Sequence, residues 1–199
     1  MSTLETARLL LRPLRTDDLI AFAALNAHPA VAEALGSTPT RLESDAMAER
    51  YGAEMRREGW GLWALEVKGG APFVGLCGLH HVPDDLPCAG SVEIGWRLHP
   101  DHWGHGYATE AARESLRHGF EAAGLDEIVS FTTTMNVRSQ AVMQRIGLHH
   151  RADDDFDHPR FDTASPYCRH VLYRLARAEW PAAAGGPSVP VQPNTPLGR

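Results

Sequence analysis

Lysine is almost missing from this 199-residue chain: Lys68 stands alone among 19 basic residues, and the formal net charge is −6. General nucleic-acid binding needs clustered Lys and Arg to neutralise phosphates, so that class is not expected. Cysteine is also scarce. Cys77, Cys88 and Cys168 form no C-x-x-C pair, which predicts buried thiols rather than a disulfide framework or a zinc ribbon. No apolar run approaches the roughly 18 residues that cross a bilayer, and the start lacks the charged-then-apolar layout of a secretion signal. A cytoplasmic protein with no membrane partner is therefore expected. What the chain does have is 43% hydrophobic residues, enough for one domain with a substantial core. That domain is expected over residues 1–180. The Pro-, Ala- and Gly-rich stretch 181–199 has no apolar period and reads as a disordered tail.

Periodicity predicts alternating elements. Ala7 to Leu14 reads as a strand, and Thr16-Asp17-Asp18 caps a helix with Leu19, Ile20, Phe22, Ala23 and Leu25 at apolar positions. A second helical region spans about Leu42 to Glu58. Gly61 to Val67 and Phe73 to Val82 form a hairpin around Lys68-Gly69-Gly70, and Ser91 to Leu98 continues the meander. A helix from Gly106 places Ala108, Ala112, Leu116 and Phe120 inward, with Glu110, Arg113, Glu114 and Arg117 outward. A strand at Ile128 to Thr134, a short helix, and final strands near Leu148 to Ala152 and Cys168 to Leu175 complete the pattern. The fold class is α/β, a mixed sheet with helices on both faces.

The most informative stretch is the turn between strand and helix, His102-Trp103-Gly104-His105-Gly106-Tyr107-Ala108-Thr109. A helix start offers unpaired N–H groups and the positive end of the helix dipole, and glycines let a diphosphate approach the main chain. A tight turn alone would also want glycine at 104 and 106. A P-loop needs Lys and a hydroxyl after its last glycine, where Tyr107 and Ala108 stand. A dinucleotide fold wants a carboxylate after the next parallel strand, where Met135-Asn136 stands. Past that strand come Asn136 to Leu148, a polar start, a helix of about three turns and a terminating glycine at 147.

Together, Trp103-x-x-Gly106-x-Ala108 and Asn136-x-x-Ser139 through Arg145-x-Gly147-Leu148 resemble the two cofactor motifs of the GCN5-related N-acetyltransferase superfamily, over roughly Ala7 to Leu175. Leu9-Leu10-Leu11-Arg12-Pro13-Leu14, Asp157-His158 and His170-Val171-Leu172-Tyr173 are similar to its branch that acetylates ribosomal-protein N-termini. The chain departs at Trp103, where many members carry Gln or Arg, and at Met143, where many carry a tyrosine acid.

The resemblance implies a mostly antiparallel sheet splayed between two parallel strands, with acetyl-CoA as cosubstrate and no metal. Leu98, Trp103, Gly104, His105, Gly106, Tyr107, Ala108, Thr109, Asn136 and Ser139 are then the cofactor-binding candidates. Leu98 is either ordinary core or the residue whose main-chain N–H meets the thioester oxygen. Asn136 caps its helix, contacts the cofactor, or does both. Ser139 replaces the missing tyrosine as proton donor to the CoA thiolate, or merely bonds the backbone. Glu93 is the first candidate base, against a plain ion pair, because alternation sets Glu93, Gly95 and Arg97 on the face opposite Val92, Ile94, Trp96 and Leu98. His80, His81, Asp157 and His158 are its rivals. The expected activity is direct acetyl transfer to a primary amine, on a small molecule or a protein N-terminus, by a monomer or homodimer. An inactive CoA-binding module and a metal-dependent hydrolase built on the 11 histidines are the alternatives.

Overall fold

The computed structural model describes residues 2–180; the tail assigned to 181–199 lies outside the described residues. In chain order the elements are β1 (Leu4–Glu5), β2 (Leu9–Arg12), α1 (Leu19–Ala27), α2 (Pro29–Leu35), α3 (Arg41–Glu58), β3 (Leu62–Val67), β4 (Gly75–His81) and β5 (Val92–Leu98). Then follow α4 (Tyr107–Arg117), β6 (Glu127–Thr133), α5 (Val137–Arg145), β7 (His149–His150), β8 (Phe156–Asp157) and β9 (Arg169–Ala176). The sheet order is β1-β2-β3-β4-β5-β6-β9-β7, with β8 also on β9, and β5–β6 is its parallel pair.

Alternation along the strands divides the core into two layers. Leu9, Leu11, Trp63, Leu65, Cys77 and Leu79 face α4, whose small residues Ala111, Ala112 and Ser115 let it sit close to the sheet. On the other face, Ala64 and Leu76 meet Phe22 and Leu25 of α1, Val31 of α2 and Ala48 of α3. Helices thus cover both faces. The buried stripe of α4 is wider than fourfold spacing predicts: Ala111 and Ser115 join it while Ala108 is only half-buried. Its last turn widens into a π-turn at His118–Ala122, which still buries Phe120.

Three elements escaped the sequence reading, the two-residue β1 among them. Proline at N1 and a left-handed Gly36 after its end bound α2, which is too short for its period to stand out. β8 sits inside the acidic stretch that ends at Asp157, where Phe156 alone anchors it to the interior. The strand expected at Leu148 to Ala152 shrinks to the two exposed residues of β7 at the sheet edge.

The feature that creates a site is the failure of β5 and β6 to stay together. They pair only at Val92–Ile128 and Glu93–Val129. Beyond that, β5 remains paired with β4 as far as Leu98–Gly75, and β6 remains paired with β9 as far as Thr133–His170. Each strand keeps its outer partner and loses its inner one, so a wedge opens toward the start of α4.

Candidate active site

The wedge exposes main chain that a sheet would normally consume. Ser91 accepts a hydrogen bond from Val82, and His99 donates one to Val74, so the odd-numbered residues of β5 direct their backbone groups at β4. Ile94, Trp96 and Leu98 therefore aim theirs at the wedge. Ser130 Oγ occupies the Ile94 carbonyl at 2.8 Å, and the Trp103 indole donates to the Leu98 carbonyl at 2.8 Å. The Leu98 N–H and the Trp96 backbone stay open, while the Leu98 side chain is buried in the core. Leu98 thus has its side chain in the core and its N–H on the wedge.

At the wide end lies the glycine turn. Gly104 and Gly106 adopt left-handed φ values of 78° and 80°. A Cβ on Gly104 would meet nothing within 4 Å, and one on Gly106 only Arg8 at 3.4 Å, so backbone geometry rather than crowding demands glycine. No side chain caps α4, and its first-turn N–H groups at Tyr107, Ala108 and Thr109 open onto the cleft. The positive end of α4 thus points into the space where the wedge ends.

Residues that carried no role in the sequence reading hold this turn. Arg8 donates to the His105 carbonyl at 2.9 Å, pairs with Glu110 at 2.6 Å and lies over the Tyr107 ring. Arg138 lies over the Trp103 ring at 4.7 Å, spanning the two motifs. Neither was legible, because each contact joins segments far apart in sequence. The His105 ring is exposed, stacks on Tyr107 and does not line the cleft.

At the start of α5, Asn136 Oδ1 accepts from the Ser139 N–H at 3.2 Å and its Nδ2 donates to Thr132 at 3.0 Å, so its capping role is present. The Ser139 hydroxyl lines the cleft and bonds no partner among the described residues. Met143 is buried and brings no proton.

Of the base candidates, Glu93, His80 and His158 line the cleft and two do not. His81 is exposed and paired with Glu58 at 3.3 Å, and Asp157 is exposed and paired with Arg169 at 3.2 Å; neither lines the cleft. Glu93 does, with only 8% of its surface exposed, and its carboxylate stands 3.2 Å from His80 Nε2. The ion-pair alternative for Glu93 is thus also present. Burial pushes His80 down, but Glu93, Glu54 and the His81 carbonyl together outweigh it and raise its pKa. Further along, burial is the largest cause that lowers both His158 and His170, whose rings are 4.9 Å apart, and for His158 the neighbouring His170 adds to it. Among the described residues no group of three His, Cys, Asp or Glu is arranged to hold a metal ion. The three cysteines are buried, and burial pushes the Cys77 thiol up to about 12, far from a nucleophilic thiolate.

Residues 8–149 match the acetyltransferase (GNAT) domain, well over half the chain. The chain belongs to the GNAT acetyltransferase family. Among curated GNAT relatives, the FsC-acetyl coenzyme A-N(2)-transacetylase of Aspergillus fumigatus is 34% identical over 187 residues, covering 89% of this chain and 77% of that protein. An acetyltransferase structure from Agrobacterium tumefaciens is similar at a TM-score of 0.72 and 28% identity, covering 88% of this chain and 94% of that one. The structure of RimL, a ribosomal L7/L12 alpha-N-protein acetyltransferase in complex with coenzyme A, shares the fold at a TM-score of 0.71 and 14% identity, over 88% and 98% of the two chains.

As a GNAT enzyme the protein is an acetyl-CoA-dependent acetyltransferase, and its residues fit that cosubstrate. The uncapped helix start suits a pyrophosphate, and the unpaired edge of β5 suits an arm rich in amides.

Proposed function

We propose that this GNAT enzyme transfers an acetyl group directly to a primary amine, without an acyl-enzyme intermediate. Acetyl-CoA supplies the activated thioester. The first-turn N–H groups of α4, with Gly104 and Gly106 leaving them accessible, hold the pyrophosphate; the backbone of Trp96 and Leu98 holds the pantetheine arm; and the Leu98 N–H donates to the thioester oxygen. Glu93, or a water it orders, takes the amine proton as the N–C bond forms. As the C–S bond breaks, Ser139 gives its proton to the sulfur and is reprotonated, through water, by the proton Glu93 has taken. Asn136 holds Ser139 in place through the N-cap bond. His80 stays beside Glu93 as its charge partner, and with both ring nitrogens facing acceptors it is not itself free to accept the amine proton.

The observation that carries this reading is the coincidence of an unpaired β5 edge, an uncapped α4 and an unbonded Ser139 hydroxyl in one cleft. Two relatives are named for nitrogen acceptors, N(2) of FsC in one and the alpha-amino group of ribosomal L7/L12 in the other, and these support an amine here. The test is thiol release from acetyl-CoA over a panel of small amines and peptide N-termini, with acetylated products weighed by mass spectrometry. Release with at least one amine is expected, slowed about 100-fold or more in Ser139→Ala with acetyl-CoA affinity retained. Tight acetyl-CoA binding with no thiol from any amine would leave a binding module instead.

A further inference from the structure

Two arginines of the sheet, Arg12 buried and Arg97 half-buried at the cleft, are treated in opposite ways. Arg12 is held by Asp18 at 2.7 Å and Glu66 at 2.8 Å, both carboxylates. Arg97, one residue before Leu98, has no carboxylate within ion-pair distance among the described residues. Its recorded partners are neutral: the Asn26 side-chain oxygen on α1, and the Tyr51 hydroxyl on α3 close by. A guanidinium has five N–H donors, and Asn26 takes one. The others are not sealed in protein, since Arg97 lines the cleft on the same face as Glu93, with only Gly95 between them.

A guanidinium partly withdrawn from water and left without a counter-charge is held less favourably than a paired one. In a protein that has built a bracketed pair at Arg12, the bare guanidinium at Arg97 marks a place where the counter-charge arrives from outside. We propose that Arg97 is the acceptor-recognition residue and that the amine acetylated by this enzyme carries a carboxylate, which the guanidinium fork binds. Planar, two-pronged pairing with a carboxylate is what Arg offers over Lys. Asn26 and Tyr51 aim the fork, and no side chain at Gly95 blocks the floor between it and Glu93. The far wall of the same cleft is aromatic, with Phe131, Phe161 and Tyr167, and burial disfavours the charged form of His170 among them. The positive charge at the acceptor end is thus concentrated at Arg97 and the exposed Arg50 and Arg160.

This inference rests on the acetyl-transfer reading for its biological meaning, but its test does not need turnover. Binding of N-acetylglycine and N-acetylphenylalanine, each against its uncharged primary amide, is measured by calorimetry on the wild-type protein, Arg97→Gln and Arg97→Lys. The acids are expected to bind at least about tenfold more tightly than their amides, the range of one charge-assisted hydrogen bond. Arg97→Gln is expected to erase that difference and Arg97→Lys to recover part of it, while acetyl-CoA affinity reports that each variant is folded. No acid preference in the wild type for either pair, or a preference that survives Arg97→Gln, overturns the proposal. Failure of the acetyl-transfer reading would show separately, as absent thiol release from every amine.

Discussion

At the scale of single residues, the chain places its strongest interactions where two segments must be pinned beneath the site. Arg12 at the end of β2 is 2% exposed and Asp18 is 5% exposed; the guanidinium meets both Asp18 oxygens, Glu66 and the Pro72 carbonyl. Asp18 in turn accepts from the Arg15 N–H, so the turn that launches α1 depends on this one fork. Removing a single member leaves an uncompensated interior charge. Arg12→Met is expected to cost about 3–5 kcal/mol of unfolding free energy in urea titrations, and Arg12→Met with Asp18→Leu to recover most of it. Equal losses in the single and double variants would mean that shape, not charge, matters there. The sequence showed Leu-Leu-Leu-Arg-Pro as a resemblance to relatives; the reason for its arginine became visible only when β3 supplied Glu66.

At the scale of elements, what could be read from the letters was local and what could not was relational. The β3–β4 hairpin, the long α3 with its Thr40–Glu43 capping box, and the strand-turn-helix from β5 to α4 all carry their instructions within a few residues. The partners of Arg8, Arg97 and Arg138 lie on other elements, and no spacing announces them. The β5-turn-α4 unit is also where a local rule can be tested against function. Gly106 is the N-cap of α4 and left-handed, so any side chain there strains the turn by about 1–2 kcal/mol and also covers the N–H groups behind it. Gly106→Val is expected to weaken acetyl-CoA binding by about tenfold or more in calorimetry, beyond any change in melting. Wild-type affinity in that variant would remove the turn from the cofactor site.

At the scale of the whole molecule, the histidines give the fold a preferred pH. Four of them, His102, His118, His158 and His170, are lowered from their usual 6.5, in each case first by burial. The folded state takes up their protons less readily than the unfolded chain does. Their contribution is complete above about pH 6.5 and is lost as pH falls from there through the folded values. His80 has the opposite sign. Burial lowers it, but Glu93 and its other acceptors raise it further, so its contribution is complete below about pH 6.5 and fades as pH climbs through the raised value. The carboxylates that the fold lowers, Glu5, Glu43, Glu58 and Glu110, act only below their ordinary 4.5 and stay silent in this window. Stability between pH 5 and 8 should therefore peak near 6.5, falling on the acid side through those four groups and on the alkaline side through His80, while the raised Cys77 and Cys88 thiols enter only as pH nears their ordinary 9.0. Urea midpoints measured across that range test both flanks. His158→Gln with His170→Gln is expected to flatten the acid side and leave the alkaline side alone, and His80→Gln to flatten the alkaline side only. Wild-type slopes on both flanks in those variants would mean that the interior histidines titrate as freely as they do in the unfolded chain.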